Sequence, residues 1–159
     1  MKSTVRTARV DDVHRIVQIY IESWNAGFGK LMPTREVTST VVSRWTEDVS
    51  KPSPHRWWVA EVDSSIVGFV GICPSRDPID PTIGEVDTIA VDPVWWRTGI
   101  GRELMLVALK NLRSDGYREA VLWTLTNYPR GQGFYQAMRW TPDGGKRDDG
   151  RQIRYRHDL

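Results

Sequence analysis

A chain of 159 residues is one domain's worth of sequence, 1–159, and is long enough to bury a core without metal or disulfide help. Apolar residues make up 40% and charged residues 26%, values that exclude a disordered chain and predict no membrane-spanning segment. Lys and Arg (22) exceed Asp and Glu (20) by only two charges, so no nucleic-acid partner is expected, and an anionic ligand must be held by local geometry.

The single cysteine, Cys73, excludes an internal disulfide and a multi-cysteine zinc site, and it fits a reducing, cytoplasmic setting. The segment after Met1-Lys2 has no apolar run of the kind a signal peptide needs. His14, His55 and His157 are scattered without metal-ligand spacing, and no metal site is expected.

Residues 4–8 read as a short strand, and Asp11 is the expected cap of the helix that follows. Val13, Ile16, Val17, Tyr20, Ile21 and Trp24 recur at helical spacing, and Asn25 to Gly29 are expected to end that helix. A second helix spans about 34–49 and stops at Lys51-Pro52-Ser53-Pro54. Residues 56–62 and 66–73 form a hairpin about Asp63-Ser64-Ser65, and 76–81 read as a loop. A strand over 83–91 closes at Asp92-Pro93. A helix over 99–113 stops at Ser114-Asp115-Gly116, and 120–125 is a strand buried on both faces. A short helix near 130–138 leads to strands near 139–142 and 151–157, joined through Asp143-Gly144-Gly145. The fold class is α/β: a mixed sheet flanked by helices, with a right-handed crossover between the parallel strands 83–91 and 120–125. Tryptophan pairs (Trp57-Trp58, Trp95-Trp96), expected at the surface, and the terminal strands together suggest a homodimer.

The chemistry concentrates between Glu85 and Arg102. A strand enters a turn that delivers Gly99 and Gly101 to the start of a helix, where free backbone N–H groups and the helix dipole favour a phosphate. A dinucleotide fold needs a third glycine where Leu104 stands, and the Gly-Lys-Ser/Thr of a P-loop is absent.

Trp96-Arg97-Thr98-Gly99-Ile100-Gly101 resembles the Arg/Gln-x-x-Gly-x-Gly/Ala signature of the GNAT superfamily of N-acetyltransferases, with Trp96 at the usual Arg or Gln position. Arg6-Thr7-Ala8 followed by Asp12 is similar to the family's opening. Asn127 to Trp140 is similar to its Asn…Phe-Tyr…Gly-Phe segment, with Arg139-Trp140 in place of Gly-Phe. The resemblance covers nearly the whole chain. It implies a single-domain fold whose parallel strands splay, and acetyl transfer from acetyl-CoA to a primary amine. The CoA arm would pair with the backbone of Ile89, Ala90 and Val91. The pyrophosphate would rest on Trp96, Arg97, Thr98, Gly99, Ile100, Gly101 and Arg102, and Asn127 and Arg130 would contact the arm.

The resemblance also assigns roles. Glu85, eleven positions before Trp96, matches the family's glutamate base, and Asp87 is the second choice on the same strand face. Tyr135 matches the acid that protonates the departing thiolate. The acceptor would lie against Trp24, Phe28, Leu31 and Asp87, which suits a flat or apolar small-molecule amine. Acetylation of a protein N-terminus or lysine, and a non-catalytic acyl-CoA sensor, remain as alternatives.

Overall fold

The computed structural model describes residues 2–30 and 32–159; Leu31, expected in the acceptor pocket, lies outside the described residues. In chain order the elements are β1 (Ser3–Thr7), α1 (Val13–Phe28), α2 (Ser39–Ser50), β2 (Arg56–Val62), β3 (Ser65–Arg76), β4 (Ile79–Val91), α3 (Ile100–Ser114), β5 (Glu119–Leu125), α4 (Pro129–Ala137), β6 (Thr141–Arg147) and β7 (Gln152–Asp158). The strands make one sheet in the order β1-β2-β3-β4-β5-β7-β6, antiparallel throughout except between β4 and β5.

Helices cover both faces. Ile16 and Ile19 of α1 pack with Trp57, Val59 and Phe69 on one side, backed by Trp45 of α2. Leu104, Met105, Ala108 and Leu112 of α3 pack with Trp58, Val70, Ile72 and Leu122 on the other. Trp57 and Trp58 therefore point to opposite faces, as strand alternation requires. Both are buried, at 5% and 8% exposure, so this pair offers no surface for a dimer.

Three expectations about boundaries are corrected. The residue at the head of α1 is Asp12, not Asp11. Its carboxylate takes two N–H groups of Arg6, at 2.8 and 3.0 Å, and the Arg9 N–H at 2.7 Å, which ties the helix start to β1. Helix α1 ends at Phe28 with Gly29 as its cap, within the expected Asn25–Gly29 stretch, and the Tyr128 ring seats on Gly27, where a Cβ would sit 2.7 Å from the Tyr128 hydroxyl. Residues 76–81 are not an open loop. Only Asp77-Pro78 separates β3 from β4, and the Glu85 carboxylate holds the Arg76 N–H at 3.0 Å across the hairpin. Asp143-Gly144-Gly145 lies inside β6, whose register shifts there, and the reversal falls at residues 148–151, where Asp148, Asp149 and Gly150 take positive φ. The Asp143 carboxylate, at 2.7 Å from Arg154 Nε and 2.9 Å from the Gly145 N–H, is what keeps the irregular stretch in the sheet.

The feature that positions the site is a bulge in β4. Ile72 pairs with Val86 and Gly71 with Thr88, which leaves Asp87 as an extra residue. A bulge interrupts the ladder, bends the strand and increases its twist. Pairing with β5 covers only Ile83–Glu85 against Glu119–Val121 and ends just before the bulge. From there the two parallel strands diverge, and 86–91 keep partners only on the β3 side.

Candidate active site

A cavity of about 780 Å³ runs along this divergence. Its floor is Val86 to Val91 of β4 and Leu122 to Leu125 of β5. One end meets the head of α3, and the other meets α1.

The α3 end is built by the β4–α3 connection. Asp92 caps a 3-10 turn at Pro93–Trp95 by accepting the Val94 N–H at 3.1 Å, and its other oxygen takes Arg15 Nη2 at 2.7 Å. Arg15 also donates to the Ile66 carbonyl at 3.1 Å, so α1, β3 and the turn are fixed to one another. The chain then passes Arg97 and Gly99 at φ +63° and +93°. The left-handed conformation suits glycine at Gly99 and is strained at Arg97. The first bond of α3 runs from the Glu103 N–H to the Gly99 carbonyl, which leaves the N–H groups of Ile100, Gly101 and Arg102 without helical partners. These amides, the helix dipole and the side chains of Arg97, Arg102 and Arg130 suit a diphosphate.

Trp96 does not replace the usual Arg or Gln chemically. Its indole N–H donates to the Val91 carbonyl at 2.8 Å, and its ring carries the Arg130 guanidinium 4.3 Å from the centroid. A cation from α4 is thus held against the loop at this position. Ile89, Ala90, Val91, Trp96, Arg97, Gly99, Gly101, Arg102 and Arg130 all line the cavity. Thr98, Ile100 and Asn127 do not: the Thr98 hydroxyl donates to the Trp95 carbonyl at 2.5 Å, Ile100 is buried in the core, and Asn127 is exposed.

Tyr135 lies on the cavity wall between Phe134 and Tyr155, with ring centroids 5.5 and 5.8 Å away. Burial pushes its hydroxyl above the ordinary tyrosine value, with smaller contributions from Tyr128 and Tyr155. It is positioned by the end of α4, where the Trp140 N–H returns to the Tyr135 carbonyl at 2.9 Å and the Arg139 N–H to the Gln136 carbonyl at 3.0 Å. This is a Schellman closure with Arg139 at φ +68°, the conformation that glycine usually fills. The departure from Gly-Phe changes the strain of the cap and leaves its geometry intact. Arg139→Gly is expected to stabilise the protein by about 0.5–1 kcal/mol, read as a higher urea midpoint at unchanged m value.

At the α1 end the wall is Tyr20, Ser23, Trp24 and Phe28, facing Asp87 and Trp123. Trp24, Phe28 and Tyr128 form an edge-to-face ladder with centroids 4.7 and 4.3 Å apart. Tyr128 had no motif to mark it; the signals were the glycines it packs on, Gly27 and Gly131.

The two candidate carboxylates occupy different settings. Glu85 is 2% exposed and absent from the cavity wall. Its oxygens take the Arg76 N–H, Nε at 3.2 Å and Nη2 at 2.5 Å. Asp87, carried by the bulge, lines the cavity and lies 3.4 Å from Arg76 Nη2. Arg76 gathers both on one face, and only Asp87 reaches the cavity.

Free amides at the head of α3, a slot between splayed parallel strands and a second chamber with a carboxylate share one cavity. Residues 13–139 match the acetyltransferase (GNAT) family, and the chain belongs to it. The chain is 32% identical over 146 residues to an uncharacterized N-acetyltransferase of Archaeoglobus fulgidus, an alignment covering 89% of this chain and 96% of the other. Among solved structures, PaiA N-acetyltransferase of Thermoplasma acidophilum, crystallised with coenzyme A, superposes with TM-score 0.77 at 19% identity and full coverage of both chains. YncA of Salmonella typhimurium, solved with acetyl-CoA, superposes with TM-score 0.74 at 19% identity, covering 99% and 94%. The chain is an acetyl-CoA-dependent N-acetyltransferase. Among the described residues no helix is long and apolar enough to cross a membrane.

Proposed function

We propose that the protein moves the acetyl group of acetyl-CoA directly to the primary amine of a small molecule. The observation that carries this is the continuous cavity that joins the α3 amides to an aromatic chamber containing Asp87. Pyrophosphate rests on the amides of Ile100 to Arg102, flanked by Arg97 and by Arg130 on its Trp96 platform. The pantetheine arm lies along the unpaired edge of β4 from Val86 to Val91, beside β5.

Asp87 draws the acceptor ammonium into the chamber and takes its proton, directly or through water. The neutral nitrogen then attacks the thioester carbonyl, a backbone N–H of 88–91 meets the oxygen that gains charge, and the C–S bond breaks. Tyr135 donates its proton to the sulfur as it leaves, and the second proton lost by the nitrogen returns to Tyr135 through water. Glu85 serves as the anchor of Arg76, which orients Asp87.

The test is release of free thiol from acetyl-CoA across a panel of small primary amines, lysine peptides and free peptide N-termini, with calorimetry of coenzyme A alongside. Turnover on small amines is expected, with coenzyme A binding at micromolar levels. Turnover confined to peptides would replace the acceptor class, and binding without turnover on any amine would make the protein a sensor.

A further inference from the structure

The connection between α1 and α2 carries a cation that the reaction above does not use. Asn25, in the last turn of α1, clamps the backbone of Arg35 with both ends of its amide: Nδ2 donates to the Arg35 carbonyl at 3.0 Å, and Oδ1 accepts the Arg35 N–H at 2.8 Å. Trp24 Nε1 donates to the Pro33 carbonyl at 3.3 Å. With the backbone held in this way, the Arg35 guanidinium lies over the Trp24 ring, 3.5 Å from its centroid, and Nη1 donates to the Tyr20 hydroxyl at 2.8 Å.

Tyr20 and Trp24 are walls of the acceptor chamber. Arg35 itself is exposed and not part of the cavity wall, which it touches through Tyr20 and Trp24. Burial raises the Tyr20 hydroxyl above the ordinary value, Arg35 opposes the rise and Asp87 adds to it. Guanidinium has five N–H donors in a planar fork suited to a carboxylate, and one is spent on Tyr20. No carboxylate pairs with Arg35 among the described residues. The loop is already fastened by Trp24 and Asn25, so the stacked cation is not needed as a fastener. A cation ordered before binding loses little entropy when it takes an anion.

We propose that Arg35 determines acceptor specificity by receiving a carboxylate, so that the acceptor is a small zwitterion with its amine toward Asp87 and its carboxylate at Arg35. The proposal rests on the acetyl-transfer reading above and narrows its substrate class. It gives the acceptor two anchors, Asp87 inside the chamber for the amine and Arg35, against Tyr20 and Trp24 at its rim, for the acid.

The experiment compares matched acceptors that differ in the carboxylate, L-phenylalanine against 2-phenylethylamine and 5-aminopentanoate against pentylamine, with the wild type and Arg35→Gln. The expected result is a preference of about tenfold or more in kcat/KM for the carboxylate-bearing member of at least one pair. In Arg35→Gln that preference is lost through KM, with kcat and the amine lacking the carboxylate changed less than about twofold. Acetyl-CoA binding and melting temperature are expected to stay as in the wild type. Equal or better use of the amines without carboxylate by the wild type overturns the proposal. So does a loss in Arg35→Gln that is the same for both members of a pair, the signature of a residue that only holds the loop. If no acceptor turns over, calorimetry of the CoA-loaded protein with the same four compounds decides. Binding of the carboxylate-bearing members that Arg35→Gln abolishes upholds the Arg35 site while the acetyl-transfer reading fails. Absence of that binding overturns the Arg35 site itself.

Discussion

Tyr135→Phe is expected to lower kcat by about ten- to a hundredfold while leaving acetyl-CoA affinity within about twofold. A hydrogen bond to a developing charge contributes about 1.5–3 kcal/mol, and each 1.4 kcal/mol is tenfold in rate. The substitution removes only the hydroxyl. The ring, packed between Phe134 and Tyr155, keeps its place, so a lost rate reports the oxygen and not the fold. Burial raises the Tyr135 hydroxyl above its ordinary value, so its neutral form persists to higher pH than that of a free phenol. The sign favours a donor: the proton is present throughout the neutral range, and the kcat profile should show no decline from Tyr135 ionisation below about pH 10. The measurement is kcat against pH for both proteins, with calorimetric titration of acetyl-CoA. An unchanged kcat in the phenylalanine variant would remove Tyr135 from the reaction.

What was legible in the sequence was whatever depends on local period and turn chemistry. Val13, Ile16, Val17 and Ile21 marked α1 because one helix face must be apolar whatever it packs on, and all four are buried. Gly99 and Gly101 marked the turn into α3, proposed above to hold the phosphates, because a left-handed residue and a close backbone approach both favour glycine. Most of the cavity wall on that side follows from the same turn. Long-range effects were not legible. The bulge at Asp87 arises from how β3 and β4 register, and nothing in Glu85-Val86-Asp87-Thr88 announces the extra residue. Period-two counting puts Glu85 and Asp87 on one face, as observed, and cannot tell that Arg76 takes the first while the cavity takes the second. Tyr128 and Arg35 were missed for a related reason. Tyr128 acquires its place from Gly27, far along the chain, and Arg35 from the side chain of Asn25 across an irregular connection that no period marks. Arg139 shows the reverse case. A residue type that departs from the family's glycine adopts the glycine's conformation, because the cap bonds and the packing of Trp140 impose it.

The division of labour between the carboxylates gives the second large effect. An alkyl amine of pKa near 10.4 is only about 0.04% neutral at pH 7, equivalent to a barrier of about 4–5 kcal/mol if nothing assists deprotonation. Asp87→Asn keeps the size and the hydrogen-bonding edge of the side chain and removes its charge and its capacity to take a proton. The expected result at pH 7 is a fall in kcat/KM of about ten- to a hundredfold. Raising the pH supplies neutral amine from solution, so the ratio of wild type to variant should shrink steadily toward pH 10. Glu85→Gln should behave differently. It removes the charge and one of the two oxygens that the Nε, Nη2 and backbone N–H of Arg76 share, in a pair whose acidic member is almost wholly buried. Because Arg76 is itself 55% exposed, the cost is about 1–2 kcal/mol, less than for a fully buried pair. That variant should melt at lower temperature, with a rate deficit that does not narrow as pH rises. Melting curves and pH–rate profiles of the two variants together separate the roles. A deficit in Asp87→Asn that is independent of pH, or a deficit in Glu85→Gln that closes at high pH, would exchange base and anchor.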